Sequence, residues 1–194
     1  MLTLFPLAPQ GPPGFSYEED FITTAEESLL VAAIRSLDLH SFRFHGYEAK
    51  RRVAGFGYDW NFETRTLAAG KPIPAAFDFI VQRVAARLAV PVQAIAELLL
   101  TEYPVGAVIN WHRDAPPFEI IAGISLLADC SFRFRPHDKA RQGRSAVIGI
   151  PVKRRSLYVM RQEAREAWEH SIPALDTVRY SITFRTLKAS AVKV

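Results

Sequence analysis

Tyr103-Pro-Val-Gly-Ala-Val-Ile-Asn-Trp-His112-Arg-Asp114 is the stretch on which the reading of the fold turns. A strand over 97–103 leads into it. Pro104 and Gly106 supply a turn, and a second short strand over 107–111 follows. That strand runs out into His112 and Asp114, two positions apart. In extended backbone, positions i and i+2 share a face, so an imidazole and a carboxylate converge there with little effort. Beyond this point the pattern repeats. Short strands are expected near 120–127, 130–135, 145–150, 156–160 and 177–186, separated by turn residues.

Upstream, the periodicity changes. Thr24-Ala-Glu-Glu27 has the form of a capping box, and Leu29, Leu30, Ala33, Ile34 and Leu37 follow at helical spacing. A helix over 24–37 is expected. A second, over 75–89, would present Phe77, Ile80, Val81, Val84 and Leu88 on one face. Between them, Phe42/Phe44 and Phe56/Tyr58/Trp60 alternate, which suggests the strands of a hairpin. Residues 6–16 are rich in proline and glycine and read as an extended lead-in. Two helices followed by many short strands imply an α+β fold. Its core is expected to be a double-stranded β-helix (jelly roll), with the N-terminal helices packed against it. The expected division is 1–96, an extension carrying the helices and a lid hairpin, and 97–189, the jelly-roll core.

The 194 residues suffice for a substantial core. No apolar run approaches the ~18 residues of a membrane span, so no membrane partner is expected. The N-terminus lacks the charged and apolar regions of a signal peptide. Cys130, the single cysteine, excludes an intramolecular disulfide, a thiolate-rich zinc site and an iron–sulfur cluster, and suits a reducing cytoplasm. A cytoplasmic monomer is expected. The net charge of +4 hides an asymmetry: residues 1–40 hold six acids against Arg35 alone, −5, which leaves +9 on the remainder. The bases cluster at Lys50-Arg51-Arg52, Arg133/Arg135, Lys139/Arg141/Arg144 and Lys153-Arg154-Arg155. Such clusters favour a polyanionic partner, although solvated loop charges would look the same.

A second run bears on His112 and Asp114: His170, followed by Arg179-Tyr-Ser-Ile-Thr-Phe-Arg185. Two imidazoles and one carboxylate are the ligand set of a mononuclear non-haem Fe(II) site, which leaves the opposite face open for a 2-oxo acid and O2. His40, His45 and His137 lack a comparable setting and read as surface residues. Alternation places Arg179, Ser181, Thr183 and Arg185 on one face. That face is awkward to bury without an anion, and a bidentate arginine suits the distal carboxylate of 2-oxoglutarate. An edge strand with solvated arginines is the alternative.

At this point the chain resembles the AlkB family of Fe(II)/2-oxoglutarate dioxygenases over most of 50–187. Tyr103, Gly106, His112 and Asp114 match the family's first motif, and Trp168-Glu169-His170 resembles its Trp-Gln-His. Residues 179–185 match the last motif. The resemblance implies Fe(II) on His112, Asp114 and His170. It implies the 2-oxoglutarate distal carboxylate on Tyr103 and Arg179, with Arg185 at the iron-side end. Thr101 and Ser181 stand where the family has asparagines, keeping polarity with shorter reach. Gly55-Phe56-Gly57-Tyr58 resembles part of the family's substrate lid. Phe56, Tyr58, Trp60 or Trp168 would stack on a target base, and Arg51 and Arg52 would hold phosphates.

The implied activity is oxidative dealkylation of N-alkylated bases in DNA or RNA. A hydroxylated N-methyl group would be lost as formaldehyde, with 2-oxoglutarate and O2 consumed and succinate released. One departure bears on substrate. Repair members carry a further acid just after the aspartate ligand, whereas Asp114 is followed by Ala115-Pro116-Pro117. Glu119 is a possible substitute. The same iron chemistry on a protein or small molecule is therefore the alternative reading.

Overall fold

A computed structural model describes residues 11–44 and 47–191; His45 and the first part of the proline-rich lead-in lie outside them. The larger of two antiparallel sheets has the order β1 (Phe15–Glu18), β10 (Leu157–Met160), β7 (Phe118–Leu126), β12 (Arg179–Leu187), β5 (Ile95–Tyr103), β3 (Tyr47–Asn61), β2 (His40–Phe44). The far end of β3 leaves this order to pair with β4 (Thr66–Ala69). The smaller sheet runs β6 (Ile109–His112), β11 (Trp168–Ile172), β8 (Cys130–Pro136), β9 (Ile148–Val152). Because β3 pairs with β5 through Arg52–Gly57, the chain on either side of residue 96 builds one continuous sheet.

The period of two along each strand sorts the large sheet into two faces. Ala54 and Phe56 of β3, Leu98 and Leu100 of β5, Ala122 and Ile124 of β7, and Tyr180, Ile182 and Phe184 of β12 face α1 (Thr24–Arg35) and α2 (Asp78–Leu88). The helices contribute Leu30, Val31 and Ile34, and Ile80, Val84 and Leu88. Burying side chains of this size is worth about 1.5–3 kcal/mol each, so the helices are held mainly by this face. The other face of the sheet meets the small sheet, where Phe118, Ile121, Phe132, Phe134, Ile150, Tyr158 and Met160 pack together. The polar residues of β5 and β12 point into this second layer.

Several expectations need correction. Helix α1 is capped by Thr23, not Thr24. Thr23 is extended (ψ 164°), and its hydroxyl accepts from the Glu26 N–H while Glu26 reaches back to the Thr23 N–H at 2.8 Å. The shift lets Ile22 enter the core and frees Glu27 to point inward. Ser36 ends the helix before Leu37. The second helix begins as a 3-10 turn over Ala75–Phe77 and stops at Ala89, which adopts a left-handed φ of 58°. The strand expected at 145–150 begins at Ile148, after a 3-10 turn at Arg144–Ala146. Strands β1, β4 and β11 and the short helix α3 (Gln162–Glu166) had no clear periodic signal. The turn after β5 forms as expected: Ala107 N–H donates to Pro104 O at 2.9 Å, and Gly106 takes a φ of 75° that favours glycine.

Candidate active site

The small sheet brings His112 and His170 together as register partners, β6 against β11, with ring centroids 4.2 Å apart. His112 Nδ1 lies 2.8 Å from Asn110 O. A carbonyl only accepts, so Nδ1 carries the proton and Nε2 keeps its lone pair. His170 stacks on Phe132 at 5.1 Å and 14°. Burial pushes His170 down to about 3, aided by His112, and burial likewise lowers His112, so both rings are neutral near pH 7. Asp114 Oδ2 lies 3.6 Å from His170 Nε2 and is buried without a hydrogen-bond partner. Its other oxygen accepts from Arg185 Nη2 at 2.6 Å. Burial opposes the charge of Asp114, but Arg185, His170, His112 and Arg165 together outweigh it and hold the carboxyl well below the usual range.

Among the described residues, no three His, Cys, Asp or Glu side chains already close around a common point. The three groups instead meet as pairs, with one carboxylate oxygen engaged by Arg185. A divalent ion nevertheless fits their chemistry. An ionised carboxylate with an orphaned oxygen beside two neutral imidazoles is a donor set awaiting a cation. His112, Asp114 and His170 are the residues that could hold it.

Two arginines brace this end. Arg185 bridges Asp114 and Glu97 Oε2, the latter at 2.5 Å, and both carboxylates keep it protonated against its burial. Arg165, buried in α3, donates to Asp114 O at 3.2 Å and Ala115 O at 2.5 Å, fixing the turn that carries the aspartate. Neither Glu97 nor Arg165 was singled out from sequence. The available signal for Glu97 was an acid inside the apolar run Ile95–Leu100.

At the other end of β12, Arg179 is 1% exposed, and β12 is a central strand rather than an edge. Its Nε donates to Ser125 Oγ at 2.8 Å, its Cζ sits 4.9 Å over the Tyr103 ring, and Nη1 is buried without a partner. Among the described residues no carboxylate meets it. Tyr103 OH and Ser181 Oγ are 3.4 Å apart, and Ser181 registers with Thr101 on one side and Ser125 on the other. Thr101 is buried on the same face. Tyr158 closes over this region because residue 123 is glycine: a Cβ there would run into the Tyr158 ring. The result is a buried guanidinium among hydroxyls, with an unpartnered nitrogen whose chemistry suits a carboxylate.

A cleft of about 1450 Å³ opens above His112, Asp114 and Arg185. Arg51, Phe56, Tyr58 and Trp60 line it, but Arg52 and Trp168 do not. Arg52 is spent on Leu39 O (2.8 Å) and Glu102 (3.2 Å). The Trp168 indole N–H instead donates to Glu163 at 3.3 Å. Phe56 is 8% exposed within the helix-side core, so it is poorly placed to stack, whereas Tyr58 is 41% exposed. Glu119 is exposed and does not line the cleft; Asp59 and Glu97 do. His40 lines it too, while His137 pairs with Glu169 at 3.1 Å on the surface. Trp111, not anticipated, completes the wall beside His112.

Comparison with known proteins agrees with this architecture. The family model described as the 2OG-Fe(II) oxygenase superfamily matches residues 27–185. The alkylated DNA repair protein ALKBH8 homolog of Arabidopsis thaliana is 29% identical over 202 residues, covering 90% of this chain and 55% of that protein. The Mus musculus tRNA (carboxymethyluridine(34)-5-O)-methyltransferase ALKBH8 is 29% identical over 182 residues, covering 90% of this chain and 26% of its own length. The chain thus spans about half, or less, of these curated relatives. Among solved structures, OsALKBH1 superposes with a TM-score of 0.71 at 13% identity, covering 91% of this chain and 98% of that one. A Pseudomonas putida prolyl-4-hydroxylase does so with 0.64 at 16%, covering 90% and 93%. Both likenesses bear on the fold, and both support the jelly-roll core.

Proposed function

The chain belongs to the 2OG-Fe(II) oxygenase superfamily, and from that premise we propose that it oxidatively dealkylates N-alkylated nucleobases in DNA or RNA. It is a 2-oxoglutarate-dependent dioxygenase using Fe(II). The iron and cosubstrate together supply, with O2, the oxidising power for C–H hydroxylation, 2-oxoglutarate leaving as succinate and CO2.

The chain's own residues divide the remaining work. His112, Asp114 and His170 would hold the metal, with the His112 ring aimed by Asn110 and Asp114 aimed by Arg185 and Arg165. Arg179 would take the distal carboxylate, with Ser125 and Tyr103 setting its guanidinium. Tyr58, Trp60 and Trp111 offer surfaces for a base, and Arg51 a positive charge at the cleft. A base in a duplex would first have to leave its stack.

The observation that carries the substrate assignment is the cleft: His112 and Asp114, two of the three candidate metal residues, line it together with aromatic and cationic side chains. The printed names of the ALKBH8 relatives, which concern alkylated DNA and tRNA, support the same class. A second reading, the same chemistry on a protein or small molecule, is favoured by Ala115 following Asp114 and by the outward Glu119.

The test is formaldehyde and succinate release from oligonucleotides bearing N1-methyladenine, N3-methylcytosine or an etheno adduct, with Fe(II), ascorbate and 2-oxoglutarate. Stoichiometric release of formaldehyde from the methylated bases, absent in Asp114→Ala, is expected. Succinate release with every oligonucleotide left unchanged would overturn the nucleobase assignment and leave the dioxygenase intact.

A further inference from the structure

The four basic clusters of the chain are not equivalent once folded. Lys153, Arg154 and Arg155 are each paired, with Asp129, Glu27 and Asp20. Arg52 is bound to Glu102. On the helix side, Arg83 and Arg87 meet Glu26 and Glu18. The acids of residues 1–40 are thus largely matched by arginines. By contrast, no carboxylate among the described residues pairs with Arg133, Lys139, Arg141 or Arg144.

These unmatched bases lie together. Alternation along β8 turns Phe132 and Phe134 inward and Arg133 and Arg135 to the outer face of the small sheet. Arg133 reaches across β11 to Ser171 Oγ at 3.1 Å, and Arg135 to Glu169 at 2.6 Å. Both guanidiniums then lie over the Trp111 ring, at 5.3 and 4.5 Å. The loop leaving β8 adds exposed Lys139, Arg141 and Arg144. Trp111 belongs at once to this face and to the cleft wall. The platform is therefore continuous with the candidate active site.

We infer that the outer face of the small sheet, Arg133, Arg135 and the Lys139–Arg144 loop joined to the cleft by Trp111, binds the phosphate backbone of a single-stranded nucleic acid flanking the target nucleotide. A fixed pair of guanidiniums on an indole suits this role. Stacking restrains the planar groups while leaving N–H donors outward for phosphate oxygens. Arg135 is paired with Glu169 and serves to frame the indole, so Arg133, Lys139, Arg141 and Arg144 supply the uncompensated charge that attracts a polyanion. The inference rests on the nucleic-acid reading above and adds where the strand runs.

The experiment is fluorescence anisotropy of the full chain with a labelled, unmodified 15-nucleotide single strand, as RNA and as DNA, titrated over a range of salt. Arg133→Gln/Arg141→Gln/Arg144→Gln should weaken binding by about tenfold or more at low salt. It should also flatten the log–log salt slope by about 2, at ~0.7 per phosphate contact. Arg35→Gln/Arg83→Gln/Arg87→Gln removes the same charge from the helix face and should change affinity little. Melting temperature and substrate-free succinate production report that each variant is folded. Equal losses in the two variants would assign the effect to net charge and overturn the inference. So would wild-type binding that the first variant leaves unchanged, while the nucleic-acid reading stood. A wild-type protein that binds neither strand, or binds an acidic peptide in preference, would remove both.

Discussion

Arg179 is the residue that most constrains the chemistry. A guanidinium that is 1% exposed, with one nitrogen unpartnered and no carboxylate among the described residues beside it, is costly unless an anion completes it. Arg179→Gln keeps a polar side chain but removes the charge. The 2-oxoglutarate concentration for half-maximal turnover should rise well over tenfold, as expected for losing a charged hydrogen bond worth about 1.5–3 kcal/mol. Steady-state succinate production against 2-oxoglutarate checks this, and an unaltered requirement would place the distal carboxylate elsewhere. As candidates, Arg179, His112 and Asp114 were legible because local spacing and alternation expose them, and His170 through the settings of the other histidines and the resemblance of Trp168-Glu169-His170 to a family motif. Ser125, Glu97 and Arg165 were not, because each matters only through a partner 50 or more positions away. Trp168 misled for a related reason. Its neighbour His170 faces the candidate site, but the indole is tied to Glu163 at the start of β11.

At the scale of elements, helix α1 shows how a local signal becomes a tertiary one. Thr23 and Glu26 form a reciprocal cap, and the same Glu26 carboxylate pairs with Arg83 of α2. Glu27, one position on, turns inward to accept from the Leu127 N–H at 2.8 Å and to pair with Arg154. Thr23→Ala should cost about 1 kcal/mol in urea denaturation. The Arg83 hydrogen bond, with the Thr23 cap, lowers Glu26 from its ordinary 4.5 to about 2. Its folded-state pKa is depressed, so its contribution is full above pH ~4.5 and is lost as pH falls toward about 2. Stability of Glu26→Gln should therefore be lower than wild type at neutral pH and should converge on it across that acid window. Parallel stability–pH curves would show that the ion pair contributes nothing. Both helices were legible in the sequence, to within a few residues at their ends, because caps and apolar spacing are local. Strand β11 was not, since Trp168-Glu-His-Ser-Ile172 mixes polar and apolar residues whose sides are set by β6 and β8.

Across the whole molecule, two layers share the large sheet. The helix-side layer is apolar, while the layer toward the small sheet contains the charged groups of β5, β12 and the Asp114 turn. This arrangement makes the candidate site part of the core. Its unpartnered groups, Asp114 Oδ2 and Arg179 Nη1, oppose the packing around them until ligands complete them. Ligand binding and global stability should therefore be linked. Mn(II), a redox-inert substitute for Fe(II), and 2-oxoglutarate, each at about 100 times its dissociation constant, should together stabilise the fold by ~5.4 kcal/mol, ~2.7 from each. For a chain of this size that corresponds to a rise in Tm of about 11–22 °C. Either ligand alone should give less. Asp114→Ala should abolish the shift from Mn(II), and Arg179→Gln should shrink the increment from 2-oxoglutarate while keeping the metal's own. A full shift in both variants would mean that the ligands stabilise the protein from somewhere other than the space between the two sheets.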